Sequence, residues 1–310
     1  MASKQQLKNK LQAVGNIKQM TRAMQLVAAT KMKKAQERAL RGRPYAAHAM
    51  ALLSRIIRST ESEQIAGSLW QKRTKGKICL VVVTSDKGLC GSFNSSVLRA
   101  ASHYIEEQIG EEIEIVAVGK KAKDFAKRKG IRIAAEFFQF SDLIDLGDVM
   151  PLSQWLLGSY QKAEYKEIIF CSTIFISALF SKALTHPLLP LDPTELEQIV
   201  ENIIPLRGKY SELKSAKQVF NFITPYLLEP SSEAIVEELA KDLVKIAVLH
   251  LLLESNASEH SSRMIAMKNA TDNAENLIET LTLDLNKLRQ SSITQELTEI
   301  STAKEALTNE

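Results

Sequence analysis

The residues with the most chemical promise stand in one short run, Ser85-Asp86-Lys87-Gly88-Leu89-Cys90-Gly91-Ser92-Phe93-Asn94. They follow an apolar, β-branched stretch at 78–83 and precede a helix-like one, so they form a glycine-containing strand-to-helix turn. Such a turn could cradle a phosphate on backbone amides. The run lacks both the GxGxxG fingerprint and the GxxxxGK[ST] phosphate loop, and Gly119-Lys120 completes neither pattern. A tight structural turn is the favoured reading. Cys90 beside Lys87 has the setting for a thiolate of lowered pKa, but no local sequence supplies a histidine base. The chain contains no GxSxG, HExxH or Cys-x-x-Cys. His250 and His260 invite a metal reading, yet ten residues of helix separate them by roughly 15 Å, too far for one ion. They read as polar residues that fix helix register, and Met264 and Met267 read as packing. Catalytic, cofactor and metal residues are therefore expected to be none.

The elements that hold these residues are unusual in length. Residues 231–310 contain neither glycine nor proline, and residues 1–43 contain no proline. All eight prolines and ten of the twelve glycines fall between Pro44 and Pro230. Clean ends and a punctuated middle predict two very long helices bracketing a compact domain. An unbroken 80-residue helix would run about 120 Å, against an average of about 11–12 residues for globular helices.

In the C-terminal helix an apolar stripe steps by 3 and 4 through Leu239, Leu243, Ile246, His250, Leu253, Ala257, His260, Met264, Met267, Thr271, Ala274, Ile278, Leu281, Leu285 and Leu288. This is a left-handed coiled-coil seam. Beyond Leu288 the phase slips to Ile293, Leu297, Ile300 and Leu307, so the last turns are expected to pack differently or stand alone. The N-terminal helix answers with Leu7, Leu11, Val14, Ile17, Thr21, Met24, Ala28, Met32, Ala35 and Ala39. Arg43-Pro44 predicts a break or kink, after which helix resumes to Arg58 with Leu52, Leu53, Ile56 and Ile57 as its apolar face.

Charge supports an intramolecular antiparallel pair. Residues 1–43 carry eleven Lys/Arg and one acid, whereas residues 231–310 carry fourteen Asp/Glu and seven Lys/Arg. The basic end has no aromatic residue for base stacking and has an apolar seam, so a protein partner is favoured over nucleic acid. Residues 1–36 share a transit peptide's lack of acids, but their periodicity continues past Glu37, as in mature structure. Three cysteines make no disulfide framework and suit a reducing compartment. No apolar run approaches the roughly 20 residues a bilayer span needs, so membrane contact is expected only through partners.

Between the helices, strands at 78–83, 113–118, 131–133 and 167–175 alternate with helical stretches such as 120–129. The fold class is thus α/β, a long antiparallel N-/C-terminal helical coiled coil with a doubly wound, Rossmann-like parallel domain. The expected boundaries are 1–58 for the first helix, a linker at 59–74, the α/β domain at 75–205, a helical connection at 206–230 and the last helix at 231–310.

Four separated blocks resemble the γ subunit of the rotary F-type ATP synthase. The stretch from Asn16-Ile17-Lys18-Gln19-Met20-Thr21-Arg22-Ala23-Met24 to Met32, with Arg43-Pro44-Tyr45-Ala46 after it, is similar to the family's shaft helix. The run from Ser85 to Asn94 resembles SDRGLCGGLN, departing at Lys87, Ser92 and Phe93. Arg263-Met264-Ile265-Ala266-Met267-Lys268-Asn269-Ala270-Thr271-Asp272 and Ile293-Thr294-Gln295-Glu296-Leu297-Thr298-Glu299 resemble its C-terminal signature. Where the family continues with Gly-Ala, this chain has Ala303-Lys304, which fits continued helix.

The resemblance implies a non-catalytic rotor subunit. Its coiled coil would enter an α3β3 ring, and its α/β domain would sit on the ε subunit and the membrane c-ring, at the cytoplasmic face of a bacterial membrane. Ion-driven rotation would then force the β subunits through different nucleotide affinities. By the same resemblance Arg22, Met24 and Lys31 would face β, and Arg263, Gln290, Thr294, Glu296, Thr298 and Glu299 would make polar contacts with the ring. The alternative is an α/β protein that binds a nucleotide or phosphate at the loop around Gly88 and Gly91, with helical oligomerisation arms.

Overall fold

A computed structural model describes residues 4–59, 69–140, 144–177, 179–191 and 232–308. The expected connection at 206–230 lies outside these, and the side chains of Ala39, Leu52, Leu53, Ile56, Ile57 and Leu307 lie outside the described ones. The chain divides into two compact units, Met1–Ala28 with Arg263–Glu310, and Ala29–Ser262.

Two long helices match the absence of punctuation at the ends. Helix α1 spans Lys4–Ser59 and continues through Pro44, so of the expected break or kink it is the break that does not occur. A proline inside a helix removes one donor and crowds the preceding turn, a local cost that the surrounding turns outlast. The C-terminal helix, numbered α5 below, spans Ser232–Thr308, 77 residues, and carries on through Ala303 and Lys304.

Within the Ala29–Ser262 unit, a five-stranded sheet has the order β3-β2-β1-β4-β5. Strand β1 is Lys77–Val83, β2 Ile113–Val118, β3 Ile133–Phe137, β4 Tyr165–Ser177 and β5 Phe180–Leu189. The first four pair in parallel, as expected, but β5 runs antiparallel to β4. The sheet is therefore mixed, with a hairpin strand at its edge. Helix α2 (Phe93–Glu107) follows β1, α3 (Lys120–Lys129) follows β2, and α4 (Leu146–Gln161) precedes β4.

Central strand β1 shows why the run at 78–83 is apolar throughout. Cys79, Val81 and Val83 enter one core with α4 and the 236–253 part of α5. Ile78, Leu80 and Val82 enter the other, under α2 and α3. A strand buried on both faces shows no alternation. Strand β3 starts two residues later than the expected 131–133. Gly130, left-handed at φ 68°, ends α3, and the Ile131 amide closes on Ala126 O at 3.0 Å, so the chain reaches the sheet only at Arg132.

Candidate functional site

The loop after β1 is built to hold the strand ends together. Thr84 Oγ1 donates to Val118 O at 3.1 Å and accepts the Ala122 amide at 2.8 Å. Asp86 accepts the Lys120 amide at 3.0 Å and the Gln139 amide at 2.8 Å, so its carboxylate fills the N-terminus of α3. The Ser85 amide donates to Asn94 Oδ1 at 3.0 Å, and Asn94 Nδ2 lies 3.1 Å from the buried Cys90 Sγ. Gly119 passes so close to Thr84 that a Cβ there would stand 2.1 Å from Thr84 O. The side chains of Asp86 and Asn94 and the Ser85 amide are spent on the loop and its neighbours, which makes the loop a structural clamp.

The remaining chemical candidates resolve similarly. Burial pushes the Cys79 thiol up and the Cys171 thiol up to about 12, which keeps both protonated. His250 Nε2 meets Glu254 Oε1 at 2.9 Å, one turn along the same helix, with both side chains buried. Among the described residues no group of three His, Cys, Asp or Glu is placed to hold a metal ion.

The second site is the helix pair in the unit of Met1–Ala28 and Arg263–Glu310. Lys18 Nζ meets Glu275 Oε1 at 2.7 Å, and Thr271 Oγ1 donates to Thr21 Oγ1 at 2.8 Å. Residues rising on one helix match residues falling on the other, so the pair is antiparallel. This register sets Val14 level with Ile278, Leu11 with Leu281, and Leu7 with Leu285. The α5 stripe is placed as expected, with Met267, Thr271 and Ala274 buried and Ile278, Leu281, Leu285 and Leu288 half-buried.

The α1 stripe needs correction. It runs Leu7, Leu11, Val14, Lys18, Thr21, Gln25, Ala28, while Ile17 and Met24 are 52% and 39% exposed. Lys18 and Gln25 are polar and so stand outside any apolar pattern, yet Glu275 of the facing helix supplies Lys18 with a partner. Ile17 and Met24 instead join Met20 and Val27, at spacings of 3 and 4, in an outward apolar stripe.

Past Leu288 the same register runs out of partner. Position 288 lies opposite residue 4, where described α1 begins, and residues 291–302 are all exposed. Ile293, Leu297 and Ile300 are 46%, 62% and 66% exposed. The phase slip in the sequence is thus where α5 leaves its partner.

The residues expected to make contacts fall into separate places. Arg22 and Met24 are exposed on α1; Gln290, Thr294, Glu296, Thr298 and Glu299 are exposed on the overhanging part of α5. Arg22 is level with 270, so these two patches lie about 30 Å apart along the axis. Lys31 and Arg263 are half-buried. Thr294 Oγ1 donates to Gln290 O at 2.9 Å and Thr298 Oγ1 to Thr294 O at 2.8 Å, so these hydroxyls offer a partner a methyl group and an acceptor.

A helix pair whose apolar end has no partner among the described residues, and a doubly wound domain whose polar loop is a clamp, are features of a structural subunit that works inside an assembly. The comparisons agree. The family described as "ATP synthase" matches residues 3–307. An ATP synthase gamma chain of Pelotomaculum thermopropionicum is 34% identical over 300 residues, covering 97% of each chain. That of Desulfitobacterium hafniense is 34% identical over 307 residues, covering 99% of this chain and all of the relative. A central-stalk chain of the Tetrahymena thermophila mitochondrial ATP synthase matches with TM-score 0.57 and 25% identity, covering 81% of this chain and 99% of that one. A chain of the Euglena gracilis mitochondrial ATP synthase, at 17% identity, shares the fold with TM-score 0.62, covering 98% of this chain and 94% of that one. The chain belongs to the ATP synthase gamma-chain family.

Proposed function

We propose that this chain is the central-stalk rotor subunit of a proton-translocating F1Fo ATP synthase. The observation that carries the reading is the overhang of α5, helical to Thr308 and turning Ile293, Leu297 and Ile300 outward past the last described partner residue. Exposed apolar residues on an ordered element favour a surrounding protein surface. An α3β3 ring would supply it, with the outward stripe of Ile17, Met20, Met24 and Val27 facing the same ring lower down. Arg22, Lys31, Arg263, Gln290, Thr294, Glu296, Thr298 and Glu299 would add polar contacts.

The α/β domain would bear on the ε subunit and the membrane c-ring. Among the described residues no helix is long and apolar enough to cross a membrane. The complex would sit at the cytoplasmic face of a bacterial membrane, with this chain attached only through its partners. Rotation would act on β nucleotide affinity through contacts that differ between the three β conformations. Affinity purification of the tagged chain from native membranes should recover α, β and ε. Recovery of the chain with none of them would sink the proposal.

A further inference from the structure

Helix α3 carries six cations in ten residues, and they are treated unequally. Lys123 Nζ is neutralised by Glu136 at 2.7 Å, and Lys129 Nζ lies 3.7 Å from Glu106. Lys121, Lys127 and Arg128 have no carboxylate partner among the described residues. These three, with Asp124, line one wall of an open groove whose other wall is Asn94 and Leu98 of α2. The groove volume is about 520 Å³, within the range of small-molecule sites. Asn94 is committed to the clamp, and Asp86 already fills the N-terminus of α3, so the attraction for an anion comes from the three side chains themselves.

We propose that this groove binds a phosphate-bearing anion of nucleotide size. Lys121 stands about two turns from Lys127 and Arg128 with Asp124 on the turn between, so the wall keeps a net positive charge that attracts a multiply charged anion. Arg128 suits phosphate because its planar fork can engage two oxygens at once, while the two lysines act as point charges. Asp124 disfavours a continuous acidic protein surface and can accept a hydroxyl carried beside the phosphates. Leu98 provides an apolar patch on the facing wall. The site is distinct from the loop around Gly88 and Gly91, and it is independent of the rotor role.

The test uses the full chain at low salt, with metal-free ATP, inorganic phosphate, and phosphatidylcholine vesicles with or without phosphatidylglycerol as probes. ATP should bind, and the triple variant Lys121→Ala/Lys127→Ala/Arg128→Ala should bind it roughly tenfold more weakly or worse. Lys123→Ala, which removes a cation outside the groove, should change affinity less than about twofold by the same scale. Unchanged thermal unfolding of the triple variant would show that the fold is intact. Binding only to the anionic vesicles, lost in the triple variant, assigns the groove to a lipid headgroup. Inorganic phosphate binding as tightly as ATP would overturn the nucleotide-sized ligand. No binding to any probe, or equal loss in triple variant and control, would overturn the site.

Discussion

Glu114, at the start of β2, shows how one residue can be costly and useful together. Burial pushes its carboxyl pKa up, but hydrogen bonds from Lys77 at 2.8 Å and Tyr165 at 2.7 Å, with the charges of Lys77 and Arg132, bring it below the ordinary 4.5. A carboxyl held low in the fold contributes stability that is complete above its unfolded pKa and lost as pH falls through the folded one. Glu114→Gln should therefore cost about 1–3 kcal/mol at neutral pH and flatten the acid limb of stability, read by urea unfolding between neutral pH and pH ~3. Gly119 is a sharper case. Its φ of 88° and the 2.1 Å approach to Thr84 O leave no room for a side chain. Gly119→Ala should destabilise by more than about 3 kcal/mol, or prevent folding, since backbone strain adds to a clash that no rotamer relieves.

At the scale of elements, the antiparallel register is the claim most open to a direct check. Thr21 and Thr271 touch through their hydroxyls at 2.8 Å, and the native cysteines are all buried. Thr21→Cys/Thr271→Cys should close rapidly to an intramolecular disulfide under mild oxidant, whereas Thr21→Cys/Leu281→Cys, ten residues out of register, should not. Gel mobility without reductant separates the outcomes. The same pairing explains the tolerance of Lys18 in the seam, because Glu275 answers it from the facing helix. Ala28 is buried among these turns, and Ala28→Leu should cost about 1–3 kcal/mol by overpacking, visible as a lowered Tm.

For the molecule as a whole, stability and function should separate along α5. Residues 291–302 make no buried contact within the described chain, so Ile293→Ser/Leu297→Ser/Ile300→Ser should leave the unfolding free energy of the isolated chain within about 0.5 kcal/mol. In the assembled synthase the same variant should pump fewer protons per ATP hydrolysed, measured in inverted membrane vesicles. Equal pumping and hydrolysis in variant and parent would show that the overhang carries no coupling.

The two long helices, the opposite charges that pair them and most of the parallel strands could be read from the chain alone, because glycine and proline punctuation, heptad spacing and β-branched runs are local signals. The α4 helix could not, since Gly147, Pro151 and Gly158 punctuate it, and it is held by the Asp145–Asp148 capping box and burial of Val149, Leu152 and Leu156. Strand β5 takes its direction from pairing with β4, which no local pattern records. The α1 face was also a tertiary decision, for whether Ile17 or Lys18 turns inward depends on Glu275, 257 residues beyond Lys18. Likewise the Ser85–Asn94 run showed an acid and polar groups in sequence, but only the fold brought the Lys120 and Gln139 amides within reach of Asp86. Residue order sets what each segment can form; which of its groups remain available for a partner is decided by the segments packed against it.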